Sequence, residues 1–182
     1  MVSQTGVRPS SLVFSKQLPG ASGEGFTLVE LLVVIAVIGL LASMAIYNVL
    51  RARTTANETA AIGNLRTLVN ALETYHTSNV WYPDDWQTDL YDNTSLEFGP
   101  PAFRLSMDAS EHQGYLYTYT PVPTGCSTTC SGYTISSVPQ TTGLTGSRAF
   151  FVNETGIIRH CIGEGPADAH DQPIHLAPAS CN

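Results

Sequence analysis

Hydrophobic and polar positions follow three different periods along this chain. Residues 31–50 form a run of twenty positions without a charge, dominated by Leu, Val, Ile and Ala. At a rise of about 1.5 Å per helical residue, such a run covers about 30 Å, the thickness of a bilayer's hydrocarbon core. Further on, the apolar residues become one-sided. Ala61, Ile62, Leu65, Leu68, Val69, Leu72 and Tyr75 recur at three and four positions, while Arg66, Asn70, Glu73 and Thr74 fall on other faces. That is the stripe of an amphipathic helix. No proline occurs between Pro19 and Pro83. The pattern therefore predicts one helix over about 27–77, its first half able to sit in lipid and its second half packed in a soluble domain. Gly39 and Gly63 are its weak points, each lowering helix propensity by about 1 kcal/mol relative to alanine.

Ser78-Asn79 and Pro83-Asp84-Asp85 stop the helix, and an irregular loop is expected over 79–114, with a short helical turn within residues 85–91. The period then becomes two. Tyr115-Leu116-Tyr117-Thr118-Tyr119-Thr120, Tyr133-Thr134-Ile135-Ser136-Ser137-Val138, Arg148-Ala149-Phe150-Phe151-Val152 and Ile157-Ile158-Arg159-His160-Cys161 read as strands. Gly125-Cys126-Ser127-Thr128-Thr129-Cys130 joins the first two, and Asn153-Glu154-Thr155-Gly156 is the turn before the last. An antiparallel meander of about four strands over 115–161 follows, its apolar face covering the helix stripe. Tyr115, Tyr117 and Tyr119 share one face of it. Residues 162–182 have little periodicity and are expected to lie over the sheet as a C-terminal loop.

The polar residues around the apolar run carry the most specific signal. Gly25 stands before it and one carboxylate, Glu30, sits at its head. A secretory signal is cut after its apolar region, at a small-x-small site. Here Tyr47-Asn48-Val49-Leu50-Arg51-Ala52-Arg53 follows instead. Gly25-Phe26-Thr27-Leu28-Val29-Glu30 followed by an apolar helix resembles the cleavage and methylation signature of type IV pilins and type II secretion pseudopilins. The resemblance implies a cytoplasmic leader, residues 1–25, removed by a prepilin peptidase between Gly25 and Phe26, with methylation of the new amine of Phe26. The rest would be a helix half, 26–52, that spans the membrane and later forms a filament core, and a soluble head, 53–182. It implies an α+β pilin-like fold, which the periodicity reaches separately.

Further implications are a homo-oligomeric helical filament, an assembly ATPase and a platform protein. The chain would be single-pass in the inner membrane with its C-terminal domain outside the cytoplasm, then in an extracellular pilus or a periplasmic pseudopilus. Many members carry proline where this chain has Tyr47, which makes a helix break there less assured. Glu30 has a reading of its own. An ionised carboxylate beside hydrocarbon finds a partner. In a single subunit this is headgroup and water, and in a filament the nearest cation is the amine of Phe26, from a neighbour or the same chain.

Charge and cysteine usage narrow the classes. Beyond residue 25 the chain has six arginines, no lysine and fourteen acids, a formal side-chain charge of −8. That balance speaks against a nucleic-acid footprint, which needs clustered basic residues. Cys126, Cys130, Cys161 and Cys181 all lie beyond the apolar run, where an oxidising compartment favours disulfides. Three pairings are open; Cys126 with Cys130 and Cys161 with Cys181 is the expected one, against a rival metal site from His160, Cys161, His170, His175 and Cys181 that matches no zinc spacing. Two acid groups, Asp84/Asp85/Asp89/Asp92 and Glu164/Asp168/Asp171, invite a calcium reading, since hard cations take clustered oxygens. The second lies where some secretion pseudopilins hold calcium. Neither has a calcium-loop spacing, so no cofactor is expected. No nucleophile triad, phosphate loop or metal motif argues for an enzyme. The alternatives to a filament subunit are a membrane-tethered enzyme and an anchored binding module.

Overall fold

The computed structural model describes residues 25–92, 96–104, 107, 110–127 and 129–181. The expected leader, apart from Gly25, lies outside the described residues, as do residues 93–95, 105–106 and 108–109 of the expected loop. A 52-residue helix, α1, runs over Leu28–Asn79, and seven strands follow: β1 Ser110–His112, β2 Tyr115–Val122, β3 Gly132–Pro139, β4 Arg148–Asn153, β5 Arg159–Ile162, β6 Gln172–Pro173 and β7 Ala179–Ser180. The chain divides into two units, Met1–Leu41 and Ala42–Asn182.

In the first unit α1 presents apolar side chains to the surroundings on every face. Leu31, Leu32, Val33, Val34, Ile35, Val37, Ile38, Leu40 and Leu41 are each at least half exposed. This helix is long and apolar enough to cross a membrane, and none of its most apolar window is buried.

In the second unit the stripe read from the sequence is the buried one. Ala61, Leu65, Leu68, Leu72 and Tyr75 pack with Tyr115, Tyr117, Tyr133, Ile135, Phe150 and Val152 from β2, β3 and β4. Trp86, Leu90, Tyr91 and Phe103 close that core from the connecting segment. Burying one such leucine contributes about 1.5–3 kcal/mol. The strands follow the period-two rule. In β4, Phe150 and Val152 face the helix, while Ala149 and Phe151 face a second, smaller cluster with Cys161, Val138, Ala167 and Cys181.

The expected count of about four strands is corrected to seven among the described residues, in the order β1-β2-β3-β4-β5-β6 with β7 on β5. All neighbours are antiparallel except β5 and β7. Strand β1 falls inside the stretch expected to be irregular. It is joined to β2 by Gln113-Gly114, both at positive φ (52° and 77°), with His112 opposite Tyr115. A two-residue hairpin turn with both residues left-handed is the type that matches strand twist, and glycine suits its second position. The expected tail loop also gains structure. Ile174 N–H donates to Ile158 C=O at 3.1 Å and Cys181 N–H to Ile162 C=O at 2.9 Å, so β6 and β7 satisfy the outer edge of β5. Two-residue strands have no period to read. The expected helical turn in residues 85–91 is a five-residue wide turn at Thr88–Asp92.

Candidate functional site

The start of α1 is where the sequence placed the chemistry. Thr27 stands just before the first helical residue and Glu30 three positions later. Glu30 Oε2 accepts from the Thr27 backbone N–H at 3.0 Å and from the Thr27 hydroxyl at 2.8 Å. Thr27 Oγ1 in turn accepts from the Glu30 N–H at 3.2 Å. This reciprocal pattern is a capping box, which satisfies donors that a helix end leaves unpaired. Glu30 therefore has a partner within a single chain, beside the headgroup and water expected from the sequence alone. The signal was present as Thr-x-x-Glu before an apolar run.

Gly25 and Phe26 precede the helix in open positions. Phe26 is 90% exposed, and a β-carbon placed on Gly25 would meet nothing within 4 Å. Beyond the cap, α1 continues through Gly39 and Tyr47 without a break, and the Arg51 guanidinium stands 5.8 Å from the Tyr47 ring centre.

The cysteines pair as Cys126–Cys130 and Cys161–Cys181. The first closes a short loop whose Cys130 C=O accepts from Tyr82 N–H at 3.0 Å, fastening it to the segment after α1. The second fastens the tail to β5. Asp84, Cys126 and Cys130 converge closely enough to suggest a metal, but both sulfurs are bonded to each other and are no longer thiolate ligands. Four of the acids considered for calcium, Asp85, Asp89, Asp168 and Asp171, serve their own turns. Asp89 Oδ2 accepts from the N–H groups of Asp84 and Asp85 (2.9 and 3.2 Å), and Asp85 Oδ1 accepts from Thr88 N–H at 2.7 Å. Asp171 Oδ2 accepts from Asp168 N–H and Asp168 Oδ1 from His170 N–H, both at 2.7 Å.

The histidines are likewise dispersed. His76 stacks on Tyr82 with ring centres 4.4 Å apart, and His112 meets Phe103 at 4.1 Å with the rings tilted by 45°. Tyr82 donates to Glu73 Oε1 at 2.9 Å, and burial, with Glu73 beside it, pushes its phenol up to about 12.

One arrangement had no sequence signal. Glu58, on the buried face of α1, accepts from Arg148 Nε at 2.8 Å through Oε2 and from Ser147 N–H at 2.9 Å through Oε1. Arg148 Nη1 lies 3.3 Å from His160 Nδ1, and His160 Nε2 lies 3.1 Å from the Leu176 carbonyl. Helix, β4, β5 and tail are thus joined in one chain of polar contacts. Guanidinium nitrogens only donate and carbonyls only accept, so the histidine accepts at Nδ1 and donates from Nε2 as the neutral ring. Burial, reinforced by the Arg148 charge, holds His160 below the ordinary histidine range, although the Leu176 carbonyl opposes the shift. The residues are 90 and 12 positions apart, beyond any local pattern.

Comparison with known proteins places the recognisable part of the chain at its N-terminus. Residues 23–46 match the family described as the prokaryotic N-terminal methylation motif. The chain is 41% identical over 60 residues to the type II secretion system core protein G of Escherichia coli strain K12, covering 33% of this chain and 41% of that protein. It is 44% identical over 61 residues to the type IV wide pilus major component PilA4 of Thermus thermophilus, covering 34% and 47%. The type II secretion system core protein G of Vibrio cholerae is 39% identical over 59 residues, covering 32% and 40%. The chain thus spans less than half the length of these relatives. No solved structure matches it.

Proposed function

We propose, from the likeness of its N-terminal segment to type IV pilins and type II secretion pseudopilins, that this chain is the structural subunit of a type IV pilus-like filament. The observation that carries this is the apolar surface of α1, exposed on every face at its N-terminal end and continuing into a helix that holds a folded head. One copy cannot cover such a surface. Lipid covers it before assembly, and the helices of other copies cover it afterwards.

In this reading a prepilin peptidase cuts after Gly25, the new amine of Phe26 is methylated, and the subunit waits in the inner membrane with its head outside the cytoplasm. An assembly ATPase and a platform protein supply the work of extraction, and the product is an extracellular pilus. Glu30 pairs across copies with the Phe26 amine, using the oxygen that the Thr27 cap leaves over. Glu30→Ala is expected to lower filament yield without preventing the cut; an unchanged yield overturns that role. The reading uses no catalytic residue, no cofactor and no nucleic acid. A second reading, a periplasmic pseudopilin or minor subunit, is supported by the similarity of about sixty residues of the chain to secretion core proteins.

Mass spectrometry of material sheared from cells, and separately of the membrane fraction, tests both. Abundant chain beginning at methylated Phe26 in the sheared fraction is the expected result. The same terminus confined to the membrane fraction supports the second reading, and an intact Met1 terminus in both fractions overturns the family mechanism.

A further inference from the structure

Asp84 stands apart from the acids beside it. Asp85 and Asp89 accept from N–H groups of their own turn at 2.7 to 3.2 Å. The partly buried Asp84 carboxylate instead meets sulfur, its Oδ1 lying 4.0 Å from Cys126 Sγ, and no N–H or O–H donor reaches it among the described residues. A sulfur bound in a disulfide has no proton to donate, so a carboxylate placed there gives up water and gains no partner. The position becomes favourable once a cation lies between the carboxylate and two thiolates.

The geometry for such a cation is already present. One ligand atom each from Asp84, Cys126 and Cys130 lies within 4.8 Å of the others. Neighbouring ligands around a tetrahedral zinc ion stand about 3.5 Å apart, and two cysteines separated by three residues fall within the spacing zinc sites use. Backbone bonds hold this frame without the bridge. Tyr82 N–H donates to the Cys130 carbonyl at 3.0 Å, Thr129 N–H to the Cys126 carbonyl at 3.0 Å, and Ser131 N–H to the Val122 carbonyl at 2.9 Å. Asp84 also lines a cavity of about 340 Å³ with Asp85, Gln87 and Thr88, which admits water as a fourth ligand.

The two bridges differ in access. Cys126 is partly exposed, and Thr124, Gly125, Ser127 and Thr129 around it are exposed. Cys161 is buried in the second core cluster, and Cys181 packs against that cluster. Exposed disulfides are the labile ones.

We propose that Cys126, Cys130 and Asp84 form a metal site gated by reduction: a dithiol opens the Cys126–Cys130 bridge, and the two thiolates and the carboxylate then hold one thiophilic divalent cation of the zinc type. In the first step the dithiol gives up two electrons and two protons and closes to its own disulfide, while the Cys126–Cys130 bond becomes two thiols. In the second the metal ion displaces both thiol protons to solvent, and its charge removes the repulsion among the three anions. The site does not depend on the filament reading.

The test uses the full chain in detergent micelles, reduced with limiting dithiol, freed of the reagent by gel filtration without oxygen, and titrated with Co²⁺ in place of zinc. Alkylation and mass spectrometry report which cysteines have opened. The expected result is that Cys126 and Cys130 open before Cys161 and Cys181, and that the reduced chain binds one Co²⁺ with a thiolate-to-metal charge-transfer absorption that added zinc abolishes. Asp84→Asn is expected to leave the opening intact and to weaken Co²⁺ binding by about tenfold or more, the least that loss of a supporting group costs a metal site. Cys126→Ser with Cys130→Ser is expected to abolish the absorption. A further readout needs no variant: bound zinc slows reoxidation of the pair in air, followed by the loss of thiols that alkylate. Earlier opening of Cys161–Cys181, no charge-transfer absorption in the reduced chain, equal absorption in the oxidised chain or in the double serine variant, unchanged affinity in Asp84→Asn, or reoxidation unaffected by zinc each overturns the proposal.

Discussion

At the scale of single residues, two positions in the head are held in states that ordinary propensity disfavours. Val80 follows the last residue of α1 with φ at 72°, its N–H donating to the His76 carbonyl at 2.7 Å. A left-handed residue just past a helix end is a common stop, but glycine or asparagine usually fills it, because a branched side chain crowds the carbonyl there. Val80 is 77% exposed, so its side chain gains little from burial. Val80→Gly is therefore expected to stabilise the head by about 1 kcal/mol, read as a raised Tm. His160 is the other case. Its neutral ring fits between a donor and an acceptor, and its folded value lies below the ordinary 6.5. The stabilisation from keeping it neutral is complete above the unfolded value. It is lost as pH falls from there toward the folded value, where the charged ring meets Arg148. Glu58 and Asp171 also face this ring and attract its charged form. Thermal melts between pH 7.5 and 5.5 are expected to fall for the wild type and to fall less for His160→Gln. Parallel slopes would reject the assignment.

At the scale of elements, the question is what fixes the register of α1 under the sheet. Apolar packing is tolerant of sliding, while the Glu58–Arg148 pair and the bond from Asn57 Nδ2 to the Thr145 carbonyl at 2.9 Å are directional. Asn64 adds a contact of 3.1 Å with the Tyr117 hydroxyl. Glu58→Ala leaves a mostly buried guanidinium without its carboxylate. It is expected to cost about 3 kcal/mol, measured by urea unfolding of the head, because breaking one side of a buried pair costs more than the pair contributes. Glu58→Gln, which keeps an acceptor oxygen, is expected to cost less. The helix and the four main strands were legible because each repeats one period over enough residues to be read. The Glu58 contact was not, since a lone glutamate on an apolar stripe does not say which distant residue meets it. Strand β1 was hidden for another reason: three residues, Ser110, Glu111 and His112, are too few and too polar to show alternation.

At the scale of the whole molecule, the two faces of the sheet are closed by different means. The helix covers one. The tail covers the other through Ala167 and the Cys161–Cys181 bridge, with sequence separation 20. Closing a loop of that size contributes about 3 kcal/mol by restricting the unfolded chain. Replacing both cysteines by serine is expected to lower head stability by about that amount and to speed amide exchange in β5 and the tail, measured by hydrogen exchange. Exchange unchanged in the tail would show that its backbone bonds hold it without the bridge. The short Cys126–Cys130 loop should contribute less, because it restricts fewer residues.

The sequence by itself determined the apolar N-terminal segment, the amphipathic continuation of the helix, the four period-two strands and the likeness at Gly25 to Glu30. Each is a local signal: a length set by charge-free residues, a repeat of 3.6 or 2, or a short motif at fixed spacing. Tertiary structure alone decided the rest. It assigned the edge of β5 to two short strands of the tail, brought Glu58 to Arg148 and Arg148 to His160, and left Arg51, Arg53 and Arg66 facing outward with no carboxylate partner among the described residues. Those outcomes depend on which distant groups share a boundary once the apolar faces are buried. Separation along the chain carries no record of that choice.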